Sequence, residues 1–492
     1  MNFKIQFTIL LVFLAGGHTS FAQSERLSIS LNEALQIATD QSLDALVAKN
    51  EFKVAYWKLR SFKAELLPAI TLDGTLPNFN RSVDSYQNSD GSFTFVRSNV
   101  ISYNMGLTIE QNIPITGAKI STVSQLQRIN DLGVGRSKQY MGLPVGIMIE
   151  QPIGGFNRLR WQGVIEPLKY EEAKRRYAVS MEMVRIQALK LYFDMLLAKI
   201  NCNIAEQNYD NACKLLEIAK AKRNIGVISA SDLLQLKLSK LNFESAVTSA
   251  KQDADKRMFT MRIFLGFNDK ILLDVQVPSA PSAVITTFSD VLELAKANNP
   301  FFIESERRIA ESKMGVAHAR SFRGPSANIF ASFGLTGSDA TLSRAYNNLK
   351  DLQVARVGVR IPILDWGKSR SSIEQAKSRL DVESGRVEKE CRQLEENIFI
   401  SVQQLVAQPR QLEIAREADS IANLRYNTAF ETFLMGKINI LDINDAQISR
   451  DVARRNHLEQ LYASWLYLFN IRMITLYDFE HKNAVAYDEK LL

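Results

Sequence analysis

Two hydrophobic periods alternate along this chain. From Leu31 to about Leu67 apolar residues recur at helical spacing, among them Ala34, Leu35, Ala38, Leu46, Val54 and Leu59, and Pro68 ends the run. The period then drops to two. Ile70, Leu72, Gly74 and Leu76 alternate with Ala69, Thr71, Asp73 and Thr75, which predicts a strand with one apolar and one polar face. Residues 78 to 100 are rich in Asn, Ser, Asp and Gly and read as an exposed loop. Alternation resumes with Tyr103, Met105, Leu107 and Ile109 against Asn104, Gly106, Thr108 and Glu110. After a turn at Pro114 to Gly117 come a weaker strand from Lys119 to Arg128, a polar loop, and a strand carrying Leu143, Val145, Ile147 and Ile149.

From Pro167 to Arg223 the period lengthens again. Met181, Val184, Ala188, Leu191, Met195, Ala198, Cys202, Ala205, Tyr209, Ala212, Leu216 and Ala219 fall at alternating spacings of three and four, a heptad seam with no charge in it. Such a helix would reach roughly 85 Å at 1.5 Å per residue. Ile186, Leu189, Phe193, Leu196 and Ile200 form a second apolar line, so the helix is expected to pack against neighbours on two sides. A further helix runs from about Asp232 to Leu265, through Leu234, Leu238, Leu241, Val247 and Met261.

The pattern then repeats. Leu35, Ala38 and Pro68 match Leu292, Ala295 and Pro325; from Pro152 onward the offset is 210, pairing Gly226 with Gly436, Asp232 with Asp442 and Arg262 with Arg472. Second-copy strands are expected at Ile329 to Leu335 and Val357 to Ile361, and Pro409 is expected to kink the second long helix. The change of offset places an insertion in the first copy between about residues 77 and 145. Each long helix ends in a short turn: Gly226 and Gly436 suit a helix stop, while Ser229 with Asp232, and Asn439 with Asp442, have the spacing of a capping box opening the next helix. The expected organisation is a signal peptide (1–22), a first repeat (23–270), a linker (271–287), a second repeat (288–480) and a tail (481–492).

Composition narrows the function. Lys4, an apolar run from Ile5 to Ala15, and Ser20-Phe21-Ala22 read as an export signal. Beyond it no apolar run nears the length of a spanning helix, so any membrane span must be a β-barrel. The three cysteines, Cys202, Cys213 and Cys391, lie in helical runs and read as packing residues. A formal charge of +7 is spread without a basic block, which does not favour nucleic acid. No catalytic motif, phosphate loop or metal-ligand spacing is found, so no enzyme, cofactor or metal is expected; His318 and His457 stand in helices without ligand partners. One chain supplies four to six strands, too few for a wide barrel. Several chains would close one, with Asp73, Thr108, Glu110, Glu150, Asn328 and Arg360 on the water side.

The export signal, the tandem duplication, the junctions Pro152-Ile-Gly-Gly-Phe-Asn-Arg158 and Pro362-Ile-Leu-Asp-Trp-Gly-Lys368, and the Gly-x-Ile-(Ser/Asn)-x-x-Asp tips resemble the TolC-like outer-membrane efflux proteins over about residues 27 to 480. The resemblance implies a mixed all-α plus β-barrel fold: duplicated coiled-coil helices forming a periplasmic α-barrel, and strands contributing to a trimeric outer-membrane β-barrel. It implies a homotrimer in outer-membrane lipid that docks on a periplasmic adaptor and an inner-membrane efflux pump or ABC exporter. Gly226, Val227, Ile228, Ser229, Gly436, Lys437, Ile438 and Asn439 would meet the adaptor, and Asp232, Asp442, Asp445 and Phe433 would lie at the constriction. Phe433 and Ile438 stand where the family's gate carries a tyrosine and an arginine. Asp445 has no capping task and is expected to be an unpaired pore charge. A periplasmic structural coiled coil, or the outer-membrane component of a type I protein secretion system, are the other readings.

Overall fold

The computed structural model describes residues 25–133, 136–224, 229–268, 271–435 and 437–485. The proposed signal peptide lies outside them. A short strand, β1 (Glu25–Ile29), leads into α1 (Leu31–Gln41) and α2 (Leu43–Glu65). Four strands follow: β2 (Ala69–Gln87), β3 (Phe93–Asn112), β4 (Lys119–Asp131) and β5 (Lys138–Ile153). Next come the long helix α3 (Arg158–Asn224), then α4 (Ala230–Phe264) and β6 (Ile271–Val275). The second half holds α5 (Phe288–Asn298), α6 (Pro300–Ser321), β7 (Ser326–Asp339), α7 (Leu342–Asn347), β8 (Lys350–Arg360), the long helix α8 (Lys368–Leu434) and α9 (Ile440–Thr475). It closes with the two-residue strands β9 (Tyr477–Asp478) and β10 (Asn483–Ala484).

The duplication is visible in the geometry. Both α3 and α8 are 67 residues long, about 100 Å at the helical rise. The first expected helix is in fact two, because Ser42 is at once the C-cap of α1, donating its N–H to Ala38 O (3.2 Å), and the N-cap of α2, accepting from Ala45 N (3.1 Å). Asn299 does the same between α5 and α6, donating to Ala295 O (2.8 Å) and accepting from Phe301 N (3.0 Å). One polar residue in an apolar-periodic run is enough to turn the chain when its side chain replaces the missing backbone partner. The chain stays helical through Pro409.

β2, β3, β4, β5, β7 and β8 form one antiparallel sheet in that order, so a single chain supplies six strands. The expected loop at 78 to 100 is instead a ribbon: β2 and β3 stay paired from Asn78 with Ser102 up to Gln87 with Phe93, around a turn tied by Asn88 N to Ser92 O (2.8 Å). Its large apolar side chains, Phe79, Val83, Phe93 and Phe95, share one face with Arg81, Ser85, Arg97 and Asn99, so the alternation is not one of apolar with polar, and Asn88 Nδ2 closes its end on Ser92 Oγ (3.0 Å) and Thr94 Oγ1 (2.7 Å). Register sorts the faces. Asp73 pairs with Gly106, Thr71 with Thr108 and Ala69 with Glu110, so Asp73, Thr108 and Glu110 share one side. On that side Asn328 Nδ2 donates to Glu150 Oε1 (2.8 Å), Arg360 follows in register with Ser326, and Lys119 meets Glu110 at 2.8 Å. The opposite side is Ile70, Leu72, Leu107, Ile109, Ile147, Ile149, Phe333 and Val357, all exposed. Within the chain β2 and β8 are unpaired edges. The helix α7 lies against β7 where Gly337 leaves room, since a Cβ there would stand 2.1 Å from Ala345 O.

Below the sheet the helices share one core. Met181, Val184, Ala188, Met195 and Ala198 of the predicted seam are buried, as are Leu189, Phe193 and Leu196 of the second line. α6 is wedged between the long helices by consecutive arginines that reach opposite ways: Arg307 Nε donates to Glu172 of α3 (2.5 Å), and Arg308 to Glu383 (2.5 Å) and Glu390 (2.6 Å) of α8. β1 and β6 pair in parallel although 246 residues separate them in register, Glu25 with Ile271. Tyr192, fully buried, donates to Gln276 O (2.7 Å) and ties that pair to α3. Nearby, Glu182 is fully buried with its Oε2 3.1 Å from Arg472 Nε, and Arg472 Nη1 donates to Asp478 Oδ2 (2.8 Å). Burial pushes the Asp478 carboxyl up, but the His481 N–H and the Arg472 guanidinium outweigh it and hold it below the usual carboxylate range. All three cysteines are free thiols, partly buried.

A buried ion pair broken on one side leaves its partner uncompensated, at a cost of about 3–5 kcal/mol. Glu182→Gln is therefore expected to lower the denaturant midpoint of the helical signal, by the concentration that a free-energy loss of that order corresponds to at the measured m-value. An unchanged midpoint would show that Arg472 is held by Asp478 alone.

Candidate functional site

Two helix tips stand at the end of the molecule away from the sheet. At the first, Ser229 caps α4: its Oγ accepts from Asp232 N (3.1 Å), and Asp232 Oδ2 accepts from Ser229 N (3.3 Å) and Ser229 Oγ (2.7 Å). At the second, Asn439 Oδ1 accepts from Asp442 N (2.9 Å), and Asp442 Oδ2 from Asn439 N (3.2 Å). Both are reciprocal capping boxes, in which the Asp also faces the positive end of its helix. Lys437 N donates to Thr432 O (3.1 Å), the six-to-one bond that closes a helix. Gly226, Val227, Ile228 and Gly436 lie outside the described residues.

The tips form one unit. Leu215, Leu216 and Ala219 of α3 pack with Leu236 of α4, Tyr426 and Phe433 of α8, and Ile440, Ile443 and Ala446 of α9, with Ile438 against them. Phe433 is 4% exposed, so its ring sits inside this small core. Lys222, near the end of α3, donates to Phe433 O (3.3 Å) and Leu434 O (3.1 Å) and stands 5.3 Å from the Phe433 ring centroid. It thereby places a cation on the carbonyl end of α8, where the helix dipole favours one. Nothing in the local sequence marks Lys222, whose partners lie more than 200 residues on.

Asp445 is not unpaired. Arg425 of α8 donates to its Oδ2 (2.5 Å) and to Ser449 Oγ (3.3 Å), bridging α8 and α9 one turn above the cap, with both charged side chains largely in solvent. Arg425 and Asp442 also line a shallow groove of about 470 Å³ with Thr428, Thr432 and Ile438. Lys437 is exposed. Above the tips a polar layer crosses the helix core. Asn208 Nδ2 donates to Asp451 Oδ2 (2.7 Å), Arg450 Nη2 donates to Asn208 Oδ1 (2.8 Å), the Arg450 guanidinium lies 4.1 Å over the Tyr426 ring, and Asn211 Nδ2 donates to Tyr426 Oη (2.8 Å). Burial pushes the Tyr426 hydroxyl up. A second layer joins Asp419 to Arg454 (2.8 Å) and His457 (3.1 Å). Such layers fix the register of long helices, since a slip would strand each buried group. His318, by contrast, is packed edge-on between Phe156 and Phe322.

Lys222→Met removes the cation from the end of α8, a loss of about 1 kcal/mol. Amide exchange at Leu434, Met435 and Lys437 is expected to accelerate severalfold, with the sheet unaffected; unchanged exchange would show that Lys222 does not hold the tips together.

Comparison with known proteins agrees with this architecture. Residues 291–464 match the family model described as outer membrane efflux protein. Among solved structures, the Campylobacter jejuni CmeC outer membrane channel is 16% identical, with a TM-score of 0.66, covering 98% of this chain and 96% of its own. The Vibrio cholerae outer membrane protein VceC is 12% identical with a TM-score of 0.64 (93% and 97% covered), and a membrane protein from Pseudomonas aeruginosa is 14% identical with a TM-score of 0.67 (97% of each). No curated protein matches the sequence. Residues 291–464 thus carry the signature of the outer membrane efflux proteins, and nearly the whole chain shares the fold of these solved outer-membrane proteins.

Proposed function

We propose that this chain is the outer-membrane channel of a tripartite efflux or export system, three copies closing into one conduit. The observation that carries the reading is the open six-stranded sheet, apolar on one face and polar on the other, with two unpaired edges. In lipid an open edge is not tolerated, so the sheet must close on copies of itself, edge β8 of one meeting edge β2 of the next. Three copies of six strands supply eighteen, within the range that leaves a water-filled lumen. That lumen would be lined by Thr71, Asp73, Thr108 and Glu110, and the apolar face would meet lipid.

The helices support the same closure. Leu234, Leu238 and Leu241 of α4, Phe399, Val406, Ile421 and Leu424 of α8, and Leu441, Ile448 and Val452 of α9 are exposed stripes at helical spacing. Side-by-side packing of copies would cover them as staves of a cylinder. The two repeats, 23–270 and 288–480 with 271–287 between them, then supply alternate staves, and the tips form the periplasmic mouth. Ser229, Lys437, Ile438 and Asn439, with Gly226, Val227, Ile228 and Gly436, would meet a periplasmic adaptor and through it an inner-membrane pump, which supplies the energy. Asp232, Asp442 and Asp445 would ring the entrance and favour cations there, with Phe433 holding the tip core behind them. Asp232 and Asp442 owe their placement to capping. Asp445 is the carboxylate whose partner, Arg425, lies on the other helix, and opening the mouth would part the two.

In planar bilayers the purified protein is expected to form cation-preferring pores. An exposed ion pair shifts an equilibrium by no more than about fivefold, so Asp445→Asn should raise mean conductance within that limit and weaken block by divalent cations. Absence of pores would contradict the channel; unchanged current and block would remove Asp445 from the gate.

A further inference from the structure

The outward face of the sheet changes character at the end remote from the helices. On β3 the outward row runs Ile109, Leu107, Met105, Tyr103 and Ile101, about 26 Å along the strand and so about 20 Å of height at a barrel strand's tilt, most of the apolar band of roughly 25 Å that outer-membrane barrels present. At and beyond its far end the face turns basic. Arg128, in register with Tyr103 and Tyr140, lies 5.5 and 5.7 Å from their ring centroids. Arg81 is opposite Asn99, and Arg97 opposite Val83, in the part of the β2–β3 ribbon past the last β3–β4 pair, Val100 with Asp131. Lys138 shares this face. So do Phe79, Phe93 and Phe95, exposed by 59, 62 and 73%.

None of Arg81, Arg97 and Arg128 has a carboxylate partner among the described residues; Arg128 Nε donates to Asn130 Oδ1 (3.0 Å). The carboxylates of this face and end, Asp339 and Asp351, lie across the sheet on β7 and β8, and Asp339 is occupied by Thr341 N (3.1 Å). The helix end of the same face is neutral: Gln111 and Gln151 stand there, and both donate to backbone carbonyls, Leu66 O (2.7 Å) and Thr116 O (3.1 Å). Positive charge is thus confined to one end of the lipid-facing surface, and it is mainly arginine, whose fork pairs with phosphate through two bonds.

We propose that the outward face of the β2–β3 ribbon, with Arg81, Arg97 and Arg128, is a docking surface for the phosphate-bearing glycolipid of the outer leaflet. The inference rests on the outer-membrane reading above. The arginines would take the phosphates just above the apolar band, and Phe79, Phe93 and Phe95 would lie against the sugar and the upper acyl carbons, as amphipathic rings do at a membrane boundary. A zwitterionic phospholipid offers no net charge to this patch. The surface is continuous with the one lipid already covers, so docking adds only the headgroup contacts.

The test is native mass spectrometry of the assembled protein in detergent, titrated with bisphosphorylated lipid A and with the same lipid A stripped of its phosphates. The phosphorylated form is expected to be retained at least tenfold more tightly. The triple change Arg81→Gln, Arg97→Gln and Arg128→Gln should abolish that preference while the same spectrum reports the intact oligomer. Arg97→Gln alone, on the ribbon beyond β4, should reduce it severalfold. Arg356→Gln, on the opposite face, should leave it in place. Equal retention of the two lipids, or a preference that survives the triple change, would overturn the docking surface. Pores in planar bilayers without a lipid preference would remove this inference and leave the channel standing, whereas absence of pores is the failure of the channel itself.

Discussion

The pairing of backbone polar groups governs this molecule. A strand in hydrocarbon has no water to satisfy its N–H and C=O groups, so each must find another strand. Six strands in register leave two edges, β2 and β8, that the chain cannot satisfy by itself. The long helices face the corresponding difficulty in apolar surface: their inner seam is buried, while Leu424 and Leu441 are about two thirds exposed. On the proposed channel reading, one chain is a sector of a closed object, incomplete both at its sheet edges and along its exposed helix stripes. On that reading assembly is part of folding, since an open sheet has no stable free form in a membrane.

Within the sector, polar contacts occur where position has to be fixed. Arg307 and Arg308 seat α6 between α3 and α8, and Glu182 with Arg472 and Asp478 joins α3 to the end of α9. The Asn208, Asp451, Arg450 and Tyr426 layer sets the register of α3 against α8 and α9 just above the tips. At the tips themselves the caps are local and a small apolar core joins the helices, while the polar links between helices among the described residues are Lys222 onto the end of α8 and Arg425 with Asp445 in solvent. An entrance that opens needs such weak links at the mouth and firm ones behind it.

Much of this is legible in the sequence, for a physical reason. The seam from Met181 to Ala219 and the alternation in Leu107 and Ile109 are readable because each element buries or exposes one face along its whole length. The capping boxes are readable because a cap is a local event, complete within four residues. Ser42 and Asn299 escape notice because one polar residue in a periodic run is usually tolerated; only the paired bonds at both ends show a break. The ribbon from Asn78 to Ser102 escapes because Arg81, Ser85, Arg97 and Asn99 stand among Phe79, Val83, Phe93 and Phe95 on one face, which hides the alternation. Pairs such as Asp445 with Arg425, and Lys222 with the carbonyls of Phe433 and Leu434, depend on how helices meet, which spacing along one helix does not encode. The pairing of β1 with β6 is likewise invisible, one segment opening the first repeat and the other lying in the expected linker after it.

The central claim is that β8 of one copy pairs with β2 of the next. Cysteine cross-linking in outer membranes tests it most directly: with Cys202, Cys213 and Cys391 replaced by Ala, a cysteine at Thr71 in β2 is combined in turn with one at Val354, Arg356 or Gly358 in β8. The account predicts that at least one combination yields covalent dimers and trimers under mild oxidation, while either cysteine alone yields no trimer. Monomers alone from every combination would contradict it.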